Sequence, residues 1–198
     1  MQSTARAAVL VLGPVIALAA VALGLRGSDS KNSRKYWNER YNFCIEYPRD
    51  WARKESFTRN GVGLQPKKPS GLSAVPNIAI GARVNQPSEA DQERLRTLEE
   101  DFQFMLESLQ EQEEDVAVLS KEKGLLQGLP AITSTIYFID RRSRRPTFVK
   151  DVILKTDYER IYFLSLECHP DDAPSVVPIL DKIVESFKLH CRPNKPDF

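Results

Sequence analysis

The string Cys168-His169-Pro170-Asp171-Asp172 holds the richest mixture of reactive side chains in this 198-residue sequence, with a thiol, an imidazole and two carboxylates in five positions. Those groups would suit a zinc ion or a Cys/His nucleophile pair. Pro170 works against both, because it fixes an extended turn on which successive side chains diverge instead of meeting at one atom. A helix-capping loop is the simpler reading. His190, beside Cys191, is the other imidazole, and two histidines leave little room for acid–base chemistry near neutral pH. There is no Gly-rich phosphate loop, nucleophile elbow or His-Glu-x-x-His pattern, and Gly61-Val62-Gly63 lacks the third glycine and following helix of a dinucleotide site. The carboxylates of Glu99 to Asp101 and Glu111 to Asp115 read as a solvated helix face, with nothing to set one acid apart from its neighbour. The sequence thus predicts no catalytic residue, no metal ligand and no cofactor. An enzyme using His169 with a metal or as a base is the alternative.

A sharper signal is Arg141-Arg142-Ser143-Arg144-Arg145, four guanidiniums in five residues between two strand patterns. Arg141, Arg142, Arg144 and Arg145 place positive charge on a hairpin tip, where it would meet anionic lipid headgroups or an acidic envelope partner. Charges on a turn also block edge-to-edge association, which is the competing role. No aromatic residues interleave the arginines as base stacking would need, and 28 basic against 27 acidic residues leave a net charge of +1, so nucleic acid is not expected. Nor does any motif indicate a small-molecule ligand.

The elements that must position these residues begin with nineteen uncharged, mostly apolar residues, Ala7 to Leu25, between Arg6 and Arg26. A run of about 18 or more apolar residues is long enough to cross a bilayer. Arg6, Pro14 and the small residues Ala17/Ala19 or Ala20/Ala22 resemble a cleaved export signal, whereas continuation of the run to Leu25 suits an uncleaved anchor. Residues 1–26 are therefore expected to be one apolar helix that is either a signal or an anchor. Arg26, Lys31, Arg34 and Lys35 outweigh the charge before the run and favour the opposite topology by the positive-inside tendency. Export remains the expectation, to a periplasmic or other extracytoplasmic location. In an oxidising compartment two of Cys44, Cys168 and Cys191 should pair. Cys44 with Cys191 would fasten the two ends of the fold, and Cys168 is the competing partner for Cys191.

Residues 27–35, polar and aperiodic, read as a flexible tether. The fold is expected from Tyr36 to about residue 192, with 193–198 a tail. Phe43, Ile45 and Tyr47 alternate with polar neighbours up to Pro48, and extended runs follow from Trp51 to Phe57, Val62 to Gln65 and Asn77 to Val84. A helix capped by Ser88 with Asp91 carries Leu95, Leu98, Phe102, Met105 and Leu109 on one stripe. Strand patterns return at Val116–Lys121, Ala131–Ile139, Thr147–Thr156 and Arg160–Glu167. A last amphipathic helix begins near Pro174 with Asp171 or Asp172 as cap, and turns Val177, Leu180, Ile183, Val184 and Phe187 inward. Sequential strands on short loops make an antiparallel sheet, and two amphipathic helices need its faces to cover, so the class is α+β.

The segment Phe43-Cys44-Ile45-Glu46-Tyr47-Pro48-Arg49-Asp50-Trp51, the turn Gly128-Leu129-Pro130-Ala131 and the closing Ile183-Val184-Glu185-Ser186-Phe187 resemble the PsbP-like superfamily, which spans the photosystem II extrinsic protein PsbP and DcrB-type envelope proteins. The resemblance covers roughly residues 40 to 190. It implies an antiparallel sheet sandwiched between helices and a non-enzymatic, membrane-proximal binding or assembly accessory of a bacterial envelope. A chaperone-like binder of apolar helices is a further alternative that some relatives suggest.

Overall fold

A computed structural model describes residues 32–54, 60–87, 95–156 and 160–191. The apolar segment 1–26, most of the expected tether and the tail 193–198 lie outside the described residues. The elements run β1 (Ser33–Asn38), β2 (Phe43–Pro48), β3 (Trp51–Lys54), β4 (Gly61–Pro66), β5 (Asn77–Val84), α1 (Leu98–Gln112), β6 (Glu114–Leu126), β7 (Leu129–Ile139), β8 (Pro146–Lys155), β9 (Arg160–Cys168), a 3-10 turn (Pro170–Asp172), α2 (Ala173–Ser186) and β10 (Lys188–Leu189). Seven strands pair antiparallel in the order β3-β4-β5-β9-β8-β7-β6, and β1-β2-β10 form a small second sheet.

The central strands are apolar on both faces because each face is covered. On one side Ile78, Ile80, Leu154, Leu164 and Leu166 pack against Leu180, Ile183 and Phe187 at the α2 layer, joined by Phe43 and Ile45 of β2. The Phe43 and Phe187 rings stack with centroids 5.8 Å apart, and the Tyr162 hydroxyl beside them donates to the Tyr41 carbonyl at 2.8 Å. Ile153, one step along β8 from Leu154, and Ile132 of neighbouring β7 point the other way and receive Phe102 of α1. The two helices therefore cover opposite faces, as an α+β sandwich requires. Trp51, 3% exposed, seals the first layer where the chain leaves the Pro48 turn. Gln127 and Gly128 both have positive φ, 56° and 78°, which is the two-residue turn whose twist suits the β6–β7 hairpin.

Three expectations need correction. A strand precedes those anticipated: β1 begins at Ser33, so Ser33, Arg34 and Lys35 pair with Pro48, Tyr47 and Glu46 instead of extending the tether. Its polar composition hides it, because only Asn38 of its six residues is fully buried. Helix α1 starts at Leu98, not near Ser88. Its cap is Thr97, whose hydroxyl accepts from the Glu100 amide at 3.2 Å while the Glu100 carboxylate accepts from the Thr97 amide at 2.7 Å, a reciprocal box; the expected cap, Ser88 with Asp91, lies outside the described residues. Leu95 lies before the helix, in a bridge with Pro87. In α2, Val177 packs partly buried against the core as expected, next to the more deeply buried Val176.

Asp172 precedes α2 but does not cap it. Its carboxylate instead accepts from the Ser73 amide at 2.9 and 3.0 Å and the Ala74 amide at 3.2 Å, holding the loop after β4 against the start of the helix. Asp172→Ala strands two donors beside a buried position, so it should destabilise the fold by about 2 kcal/mol. Urea unfolding checks this, and a variant as stable as the parent would show that water replaces the carboxylate.

Candidate functional site

Between α1 and the sheet lies a cavity of about 950 Å³. It exists because α1 touches the sheet most closely at its first turns. Phe102 is 2% exposed against Ile132 and Ile153, whereas farther along Phe104 is 46% exposed and Leu109 only half-buried. The floor comes from the α1-facing residues of four neighbouring strands: Ala79 of β5, Ile161 and Phe163 of β9, Val149 and Ile153 of β8, Ile136 of β7. This is the size of a small-molecule site with mostly apolar walls.

Charged groups are set into that apolar frame. Asp151 lies in the middle of β8, in register with Ser134 of β7 and Ser165 of β9, so the three side chains form one polar row on the α1 face. Asp151 is buried. Withdrawal from water pushes its carboxyl up to about 6, opposed by a hydrogen bond to Ser165 and reinforced by the nearby Glu167 carboxylate. Glu167 also sits above the ordinary range, first because it is partly desolvated, then through repulsion from Asp140 and Glu113, with Lys54 acting against them. Asp101, 2% exposed, accepts from the Arg83 guanidinium at 2.8 Å through Oδ1, and its Oδ2 has no partner among the described residues. The buried Ser134 hydroxyl is likewise unpartnered there. Arg96 lies over the Phe104 ring, 4.0 Å from its centroid.

The residues singled out from sequence fall elsewhere. His169 caps the 3-10 turn by accepting from the Asp171 amide at 3.3 Å, the capping role expected of that loop. Cys168 is buried, and burial followed by the Asp172 and Glu167 carboxylates pushes its thiol up to about 11, the reverse of what a nucleophile needs. Among the described residues no group of three or more His, Cys, Asp or Glu side chains is arranged to hold a metal ion. His190 takes positive φ after β10 and its amide donates to the Asn42 carbonyl at 2.8 Å. The arginines occupy the β7–β8 turn: Arg144 pairs with Glu114, the Arg141 amide donates to the Glu113 carboxylate at 2.7 Å, and Arg142 and Arg145 are exposed. Cys44 and Cys191 are bonded, Cα atoms 5.9 Å apart, beside the pairing of Lys188 with Cys44, which leaves Cys168 as the free thiol.

Asp101, expected on a solvated helix face, is instead buried against Arg83, and Asp151 and Glu167 were missed because they come from different elements whose meeting no local pattern encodes. One signal was available: Asp151 interrupts the apolar run Val149 to Leu154, where a strand buried on both faces should carry no acid.

No family model and no curated protein matches the sequence. Solved structures do match the fold. Cyanobacterial PsbP (CyanoP) from Synechocystis is 14% identical, with 84% of this chain and 98% of that one covered at a TM-score of 0.57. LpqN of Mycobacterium tuberculosis, involved in cell envelope biogenesis, is 11% identical over 79% and 90% of the two chains at 0.58. The Saccharomyces cerevisiae Ran-binding protein Mog1p is 12% identical over 80% and 96% at 0.57. The chain has the fold of the PsbP-like superfamily.

Proposed function

We propose that this chain is a non-enzymatic, membrane-proximal binding or assembly accessory of a bacterial envelope, with its globular part facing an oxidising compartment. The Cys44–Cys191 disulfide carries the reading, since a bond between strand β2 and the end of the fold persists where thiols are not kept reduced. The apolar run Ala7 to Leu25 supplies a signal or anchor. Support at the level of fold comes from LpqN, a protein of envelope biogenesis, and from Mog1p, which binds a protein partner, Ran. Among the described residues no helix is long and apolar enough to cross a membrane.

Cell fractionation with thiol trapping tests this. The protein should appear with membranes or periplasm, be cleaved by protease added to spheroplasts, and show one alkylatable thiol before reduction and three after. A protected domain or three free thiols at the outset would overturn export.

In this reading the arginine turn is the contact with anionic headgroups or an acidic partner. Replacing Arg141, Arg142, Arg144 and Arg145 together by Ser should leave the unfolding midpoint nearly unchanged, because exposed turn charges contribute little. Affinity for vesicles containing anionic lipid should fall by at least about tenfold and lose its salt dependence. Vesicle flotation at two ionic strengths measures it, and unaltered binding would leave the arginines a role in solubility alone.

A further inference from the structure

The cavity beneath α1 has a charge pattern that selects among ligands. Its walls are mainly hydrocarbon and aromatic, which favours an apolar body. Of the five ionisable side chains that line it, Arg83 is committed to Asp101, and Arg96 is stacked on Phe104 at the helix side. The remaining two are both acids, Asp151 and Glu167, and Glu167 is close enough to raise the proton affinity of Asp151. Glu167 feels two further acids, Asp140 and Glu113, against one cation, Lys54. The cavity therefore joins an apolar interior to an acidic end. Asp101 does not join these acids: its Oδ1 accepts from Arg83 and its Oδ2 is out of reach of solvent.

We infer that this cavity binds a small amphipathic amine, a single protonated nitrogen on an aliphatic or aryl body, with the ammonium against the carboxylates of Asp151 and Glu167 and the body along Ile136, Phe163 and Met105. An ammonium offers three donors and one compensating charge, which is what the buried Asp151 carboxylate, with Glu167 beside it at the exposed end, lacks. A fatty acid would bring a third anion to that end, and a neutral alcohol would leave the charge uncompensated. A volume of about 950 Å³ is at the upper end of the range for drug-sized ligands, ample for a chain of about ten carbons.

The test uses decylamine, decanol and decanoate below their micellar concentrations, titrated calorimetrically into the intact protein at pH 7.5. Decylamine should bind one to one, at least tenfold more tightly than either analogue. In Asp151→Asn the amine should lose at least tenfold while decanol changes less than twofold. Leu109→Trp, which fills the space from the half-buried helix side, should abolish binding of all three. Equal affinity for the three probes, no binding of the amine, or an amine affinity indifferent to Asp151→Asn would each overturn the inference. It rests on the proposed binding role only in that the site holds a ligand without transforming it. Failure here would leave the fractionation and thiol results standing, and failure there would not alter these affinities.

Discussion

Reduction of the Cys44–Cys191 bond should destabilise the fold by about 5 kcal/mol. The two cysteines are 147 residues apart, and in the chain-entropy model closing a loop of that length removes about this much free energy from the unfolded ensemble. Domains of ordinary stability have roughly 5 to 15 kcal/mol in total, so the reduced protein should be marginal. The physical target is β10: it is two residues long, pairs with β2 only at Cys44 and Phe43, and fastens the end of α2 across the small sheet. Urea unfolding with and without reductant measures the effect, and the double variant Cys44→Ala, Cys191→Ala should match the reduced parent. An unchanged midpoint would mean that Phe187 and the α2 layer hold that end unaided.

Asp151→Asn should act in the opposite sense at neutral pH. In the unfolded chain the Asp151 carboxyl titrates near 3.8, and in the fold it is pushed up to about 6. Below about pH 4 it is protonated in both states and its burial carries no charge penalty. Between about 4 and 6 the unfolded chain has released a proton that the folded one still holds, so stability falls as pH rises. Above that window both forms are ionised and the full penalty applies, roughly 3 kcal/mol at about 1.4 kcal/mol per pH unit. Asparagine keeps a partner for Ser165 and carries no charge. The variant should therefore be more stable than the parent by roughly 3 kcal/mol at pH 7 and indistinguishable from it at pH 4. Denaturant titrations at the two pH values decide it. A variant less stable at pH 7 would mean that the ionised carboxylate has a compensating partner. An acid retained at such a cost in the middle of a strand marks a position shaped by something other than folding.

Much of the fold was legible because it rests on periodicity. β5 runs over the same residues, Asn77 to Val84, that the sequence pattern marks, β9 begins at Arg160 as expected, and the stripe ending in Phe187 is buried where the last helix requires. Compartment and the ends of the fold pointed to Cys44 with Cys191 but left Cys168 as a competing partner, which the structure rules out by burying it as a free thiol. What escaped was context. β1 is a strand because β2 offers it an edge, not because Ser33-Arg34-Lys35 has any strand propensity. The start of α1 was misplaced because Ser88-x-x-Asp91 and Thr97-x-x-Glu100 are similar cap signals, and it is the second that caps α1 with both bonds formed. The cavity was least legible. Arg141 to Arg145 stood out as a run in the sequence, whereas Asp101, Asp151 and Glu167 are about 66 residues or less apart along the chain and converge only through the β8–β9 register and the seat of α1.

The central claim is that the α1 face is a desolvated, acid-floored cavity and not an incompletely packed core. Carboxyl ¹³C NMR titration of the aspartates, in the parent and in Asp151→Asn, tests it most directly. The account predicts one aspartate with a midpoint near pH 6 whose resonance is missing from the variant. If every aspartate titrates in the ordinary range near pH 4, water reaches Asp151 freely and the cavity is not the site described.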